Sequence, residues 1–153
     1  MAAEFGFWIS IDGGGHWVEL KNNMPTLAFN DFVIHPRDND LVLGSHGRGV
    51  WILDKISAIQ ELTPEVMAMP GHLFSMETAE QVRRRSTICC PGDNIFYGEN
   101  PPAGGLIDYW VRDAGADVTV SVLDAAGAEI RRLRPTSEQG INRIVWEIGR
   151  AHV

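Results

Sequence analysis

Apolar positions along this chain come in short alternating or clustered runs, each bounded by Gly, Pro, Asn or Asp, which is the pattern of strands joined by tight turns. Residues 5–11, Phe-Gly-Phe-Trp-Ile-Ser-Ile, are aromatic and β-branched and run into Asp12-Gly13-Gly14-Gly15, a turn by composition. Trp17 to Leu20 reads as the return strand, closed by Asn22-Asn23 and Pro25. Asp31 to His35 predicts a further strand, stopped at Pro36-Arg37-Asp38-Asn39-Asp40. Leu41 to Gly44 and Val50 to Asp54 predict a second hairpin around Ser45-His46-Gly47-Arg48-Gly49.

The pattern then changes. Residues 56–62 fit either a helical turn or an outer strand. Thr63-Pro64 and Met69-Pro70-Gly71 read as breaks, and residues 63–105 as a long connection, supported by Pro91-Gly92, Pro101-Pro102 and Gly104-Gly105. A second strand-rich block follows. Leu106 to Val111 is one strand, and in 117–123 Val118, Val120 and Val122 alternate with Thr119 and Ser121. Asp124-Ala125-Ala126-Gly127 is a hairpin turn, 128–133 its return, and 140–146 a further strand. At most four strands are too few for a closed sandwich with a Greek-key return. The expectation is therefore an all-β chain of three parts: 1–62, a 63–105 linker and 106–153, the last an incomplete sandwich.

An internal repeat refines the first part. Gly6-Phe7-Trp8-Ile9 recurs as Gly49-Val50-Trp51-Ile52, a spacing within the roughly 40–50 residues of one four-stranded propeller blade. Bulk properties narrow the function classes. At 153 residues with 44 % hydrophobic composition, the chain can bury a core. A net charge of −7 argues against a general nucleic-acid or anionic-membrane binder, and no apolar run reaches bilayer length. Cys89 and Cys90 are adjacent, a geometry that strains a bridge between them, and they read as two unpaired thiols. No residue pattern implies a cofactor or a metal.

The informative motif is Ser10-Ile11-Asp12-Gly13-Gly14-Gly15-His16-Trp17, which fits the Asp-box pattern Ser-x-Asp-x-Gly-x-x-Trp. Ser and Asp side chains hydrogen-bond the backbone of tight turns, Gly adopts angles a Cβ forbids, and Trp packs over the hairpin with a large apolar face. Each matched position thus has a structural role, and Asp12 reads as a turn-former before a catalytic carboxylate. A calcium loop would need more oxygen ligands and a Glu at its twelfth position, which are missing.

The stretch from FGFWISIDGGGHWVELKNNMP through DFVIHPRDNDLVLGSHGRGVWILD resembles the final blades of large bacterial BNR-repeat (Asp-box) proteins of the glycosyl-hydrolase-like or sortilin type. NPPAGGLIDYWV and GINRIVWE resemble that family's passage from the propeller into a following immunoglobulin-like domain. The resemblance spans residues 4–147. It implies the last one to two blades of a β-propeller, then the start of an immunoglobulin-like or fibronectin-like β-sandwich, in a secreted or periplasmic protein. Leu53-Asp54-Lys55-Ile56-Ser57 stands where a second Asp-box would come, as suits a terminal blade. The family includes sialidases, xyloglucan-cleaving enzymes and sorting receptors, so fold alone does not fix function. Two readings follow: a scaffold piece whose partners are the remaining blades of a parent chain, with a carbohydrate or protein ligand; or the C-terminal portion of a glycoside hydrolase. Glycosidase chemistry needs two carboxylates at a set separation, and no such pair is identifiable in this sequence.

His46 and Arg48, on a Gly-flanked turn, are candidates for the rim of a ligand site, where Arg would hold an anionic sugar. The alternative is a turn whose Arg pairs with a nearby acid. His35 lacks spaced partners for a metal. Arg83-Arg84-Arg85 lacks interleaved aromatics and reads as a solvated linker. Trp8, Trp17, Trp51, Trp110 and Trp146 fit core positions better than a sugar-stacking platform. The end of the chain, 147–153, departs from the resemblance. Glu-Ile-Gly-Arg-Ala-His-Val back-translates as GAG ATC GGA AGA GCA CAC GTC, which from its second base matches a common short-read sequencing adapter. The natural reading frame is accordingly expected to end at Trp146, and the chain to be a fragment. A fragment of this kind would leave strands such as Leu41-Val42-Leu43 and Val118 to Val122 with unpaired edges.

Overall fold

A computed structural model of the chain describes residues 1–79, 98, 102 and 104–147. Strands dominate it, arranged as four small antiparallel sheets, and none of the described sheets closes into a barrel. β1 (Ala2–Ala3), β2 (Gly6–Ile9) and β3 (Val18–Glu19) form the first sheet, with β2 central. β4 (Phe29–Ile34), β5 (Leu41–Ser45) and β6 (Val50–Leu53) form the second as a meander. Two one-turn helices follow, α1 (Ser57–Glu61) and α2 (Pro64–Ala68). β7 (Gly71–Leu73) and β8 (Gly105–Val111) belong to a third sheet, while β9 (Val120–Leu123) and β10 (Glu129–Leu133) pair as a two-stranded ribbon. β11 (Gly140–Trp146) completes the third sheet, in the order β11-β8-β7.

The burial of alternate residues explains why these segments are strands. β5 buries Leu41 and Leu43 and turns Val42 the other way. They meet Phe7, Phe29 and Ile56 in the first core, with the Phe7 ring edge-on to Phe29 at 6.3 Å between centroids. α1 bridges to a second, smaller core: Ile56 and Ile59 face the first, whereas Ala58 packs with Val66 and Phe74. Trp110 of β8 packs on that second core, and β8 buries Ile107, Tyr109 and Val111.

Several expectations change. Of the two readings for 56–62, the helical one is found. Within the span expected as a plain connection, Thr63-Pro64 starts α2 rather than breaking the chain. Pro64 takes the first helical position, where a missing N–H costs nothing, and Thr63 Oγ1 caps Val66 N–H at 3.3 Å. Gly71–Leu73 then joins β8 as an edge strand. Leu41-Val42-Leu43 is not an open edge: β5 is the middle strand, paired to β4 on one side and β6 on the other. Among the described residues, the outer strands of that sheet are β4 and β6. The strand expected from Val118 starts only at Val120, and among the described residues it has β10 alone beside it. The Cys89-Cys90 pair and Arg83-Arg84-Arg85 lie outside the described residues, as does the tail from Ile148 onward.

Candidate functional site

The turn between β2 and β3 is built by its own side chains. Ser10 Oγ donates to Asp12 Oδ1 at 2.8 Å and accepts the Gly14 N–H at 2.8 Å. The His16 N–H donates to Asp12 Oδ1 at 2.9 Å, and His16 Nδ1 lies 2.5 Å from Asp12 Oδ2. Gly14 has φ +98, a region closed to most residues with a Cβ, and a Cβ there would lie 3.8 Å from the Trp17 ring. Ser10, Asp12, Gly14 and Trp17, the four residues expected to act together, therefore do meet around one turn. Trp17 differs in one respect: it keeps 46 % of its surface exposed rather than burying its apolar face, because the two-residue β3 brings no layer over it.

The electrostatics follow from those bonds. The backbone N–H of His16, then its ring, then Ser10 hold the Asp12 carboxyl well below the usual carboxylate range. A carboxyl held so low is a poor proton donor, and its lone pairs are already committed to the turn. His16 was not singled out by motif reasoning, since it fills a variable position. An Asx turn returns the N–H of the residue two beyond the aspartate, whereas here the N–H comes from four beyond, so no local rule pointed to His16.

An open groove of about 600 Å³ lies beside this turn, with Trp8, Ser10, Trp17, Phe32, Ile34 and Gln60 among the residues that line it. Its surface is largely apolar with a few hydroxyl and amide groups. His46 and Arg48 do not line it. They sit exposed on the β5–β6 turn, where Ser45 Oγ donates to Gly49 O at 2.7 Å and the His46 N–H donates to Ala28 O at 2.9 Å. No acid pairs with Arg48 among the described residues. His35 lies 3.1 Å from Asp38 Oδ2 and accepts the Asp38 N–H, so it serves the 36–40 turn. Among the described residues no group of three or more His, Cys, Asp or Glu is arranged to hold a metal ion. No described helix is long and apolar enough to cross a membrane.

The tryptophans expected in the core are only partly there. Trp51 and Trp110 pack at core margins with indole N–H groups that are buried and have no acceptor, and Trp8 and Trp146 are half-buried.

Two polar constellations in the second strand block escaped sequence reasoning. Tyr109 Oη donates to Thr136 O at 2.7 Å and accepts the Thr136 N–H at 2.9 Å, while buried Asn142 bonds Thr136 Oγ1, Glu138 and Gly140. This fixes the loop between β10 and β11. The other is a fork from Arg143 to Asp108, directly opposite it across the β8–β11 pair. Its signal was an acid in the middle of the apolar run Leu106 to Val111, since a buried carboxylate requires a partner. Compared with known proteins, the chain matches no family model, no curated protein and no solved structure.

Proposed function

We propose that this chain is scaffold: terminal blade material of a secreted or periplasmic Asp-box β-propeller protein, followed by part of an immunoglobulin-like sandwich, with no catalytic site of its own. What supports the reading most is the Asp12 turn. Its one conspicuous acid spends its hydrogen-bonding capacity on Ser10 and His16 within the turn and is held ionised by them. That is the economy of a structural motif, in which the carboxylate substitutes for backbone partners. The three-stranded meander β4-β5-β6 also suits a blade whose fourth strand comes from elsewhere in a parent chain.

A second reading, the C-terminal portion of a glycoside hydrolase, draws on one observation: the groove beside the turn presents Trp8 and half-exposed Trp17 with hydroxyl and amide groups nearby. Aromatic faces edged by a few polar groups suit a sugar ring. The upstream part of the parent gene separates the two readings, since a pair of acids facing across the propeller's central cleft favours the hydrolase; whether this chain has a catalytic site of its own is tested directly. The purified chain is screened against aryl glycosides, sialosides included, and Asp12→Ala is melted alongside the parent sequence. The scaffold reading expects no turnover and a lower melting temperature for Asp12→Ala. Turnover that disappears on replacing a single acid, with the melting temperature unchanged, overturns it.

A further inference from the structure

Arg143 reaches beyond its own sheet. Its Nε and Nη2 fork onto Asp108 Oδ1 and Oδ2 at 2.7 and 2.9 Å, in the bidentate geometry that Arg makes and Lys cannot. Nη1 donates to the Asp54 carbonyl at 2.8 Å, and Nη2 also donates to the Lys55 carbonyl at 2.7 Å. Those two carbonyls lie at the corner just after β6, where Lys55 takes a left-handed φ of 53°. One side chain on β11 is thus bonded at once to β8 and to the end of the β4-β5-β6 meander. The corner itself is held from behind, since Asp40 Oδ1 accepts the Lys55 N–H at 2.9 Å. It is therefore a fixed target.

Among the described residues the other polar ties near this junction lie on exposed groups: Ser57 Oγ donates to Glu77 at 2.9 Å, and Glu61 accepts the Ser75 N–H at 3.1 Å. Lys55 Nζ lies 2.6 Å from Glu77, but this pair is partly exposed, and such pairs contribute little. The apolar bridge is α1, a single turn of helix too short to be stable unaided. Asp108 is 9 % exposed, so the guanidinium also neutralises a carboxylate withdrawn from water.

We propose that Arg143 is an internal latch: its guanidinium makes the β4-β5-β6 meander and the β7-β8-β11 sheet open together. Without the fork the meander retains its core around Leu43, and the third sheet its buried positions Ile107, Tyr109 and Val111, but they lose the connection that makes their opening a single event.

Native-state hydrogen exchange of the full chain in dilute solution tests this, with increasing urea below the unfolding transition. In the unmutated protein the Leu43 and Val111 amides are expected to converge on one opening reaction. Arg143→Lys keeps the charge and loses the fork. It is expected to lower the two protections unequally, by about tenfold or more relative to each other, whereas loss of general stability lowers both alike. Asp108→Asn leaves the reach to the two carbonyls and is expected to shift the ratio in the same direction by less; it carries the test if Arg143→Lys fails to fold. Exposed Arg134→Gln is expected to leave the ratio unchanged. The proposal is overturned if the unmutated amides open separately. It is equally overturned if the ratio stays within about threefold in whichever of the two latch variants folds.

Discussion

Two aspartates alike in type, but not in surroundings, show how local chemistry decides what a carboxylate does. Asp12 receives hydrogen bonds and is held ionised. Asp54 has no donor of that kind: burial raises its carboxyl above the usual value, the neighbouring Asp40 raises it further, and Arg143 and Lys55 offset this in part. The signs for stability are opposite. Asp12 binds its proton more weakly folded than unfolded, so its contribution is present above the ordinary carboxylate pKa of about 3.9 and fades as pH falls below it. Asp54 binds its proton more tightly when folded, so its ionisation opposes folding once pH rises past its own raised value. Asp54→Asn should therefore raise the melting temperature at pH 7, and the advantage should shrink as pH falls toward about 4. Melts of the two proteins at both pH values check this. An advantage that grows on acidification would mean that the folded protein stabilises the Asp54 carboxylate instead of penalising it by burial. The motif Ser-x-Asp-x-Gly-x-x-Trp announced the role of Asp12 in the sequence. Nothing near Asp54 in the sequence announced its neighbour Asp40, which arrives only when β5 and β6 pair.

At the scale of elements, the period of apolar residues located most strands, because a half-buried strand writes its burial into alternate positions. β5, β6, β8, β10 and β11 were legible in this way. β1 and β7 were not: each is two or three residues long, exists by pairing with a longer neighbour, and carries no period of its own. α2 was hidden behind Pro64, since Pro ends one helix and begins another with equal ease. In the candidate site, the Asp-box turn was readable, whereas the Arg143–Asp108 fork depends on a cross-strand register that no local pattern contains. The entry to β8 offers a sharp test of element geometry. Gly104 has φ +128, and a Cβ there would stand 2.2 Å from the Trp146 carbonyl oxygen, so both angle and space forbid a side chain. Gly104→Ala should cost roughly 2–5 kcal/mol, combining backbone strain with an unrelieved clash. Urea denaturation of the variant measures it; a loss under about 1 kcal/mol would mean that β8 and β11 do not meet in this register.

For the molecule as a whole, the distribution of apolar surface is the decisive fact. β4 shows Phe32, Val33 and Ile34 to solvent, and β6 shows Val50 and Ile52 at 64 % and 60 % exposure. On the β9-β10 ribbon, Leu123 and Ile130 are similarly uncovered. Apolar residues beside unpaired backbone groups on an open edge are a template for another strand, and no Lys or Pro stands within β4 or β6 to blunt it. The net charge of −7 opposes association between copies, yet it places one charge, Asp31, within β4 and none within β6. The chain should accordingly self-associate in solution and bind a hydrophobic dye, which light scattering after size exclusion will register. Ile52→Lys puts a charge on the β6 edge at a site already exposed, so it should reduce association while leaving the melting temperature of the monomer nearly unchanged. If Ile52→Lys associates as strongly as the parent sequence, the edge of β6 is not the contact. A matching charge on β4, Val33→Lys, then separates edge pairing through the other side of the same sheet from association through the β9-β10 ribbon. On the proposed reading of this chain as blade material, the edge of β6 that makes it adhesive in isolation is also the edge at which a further strand would be added.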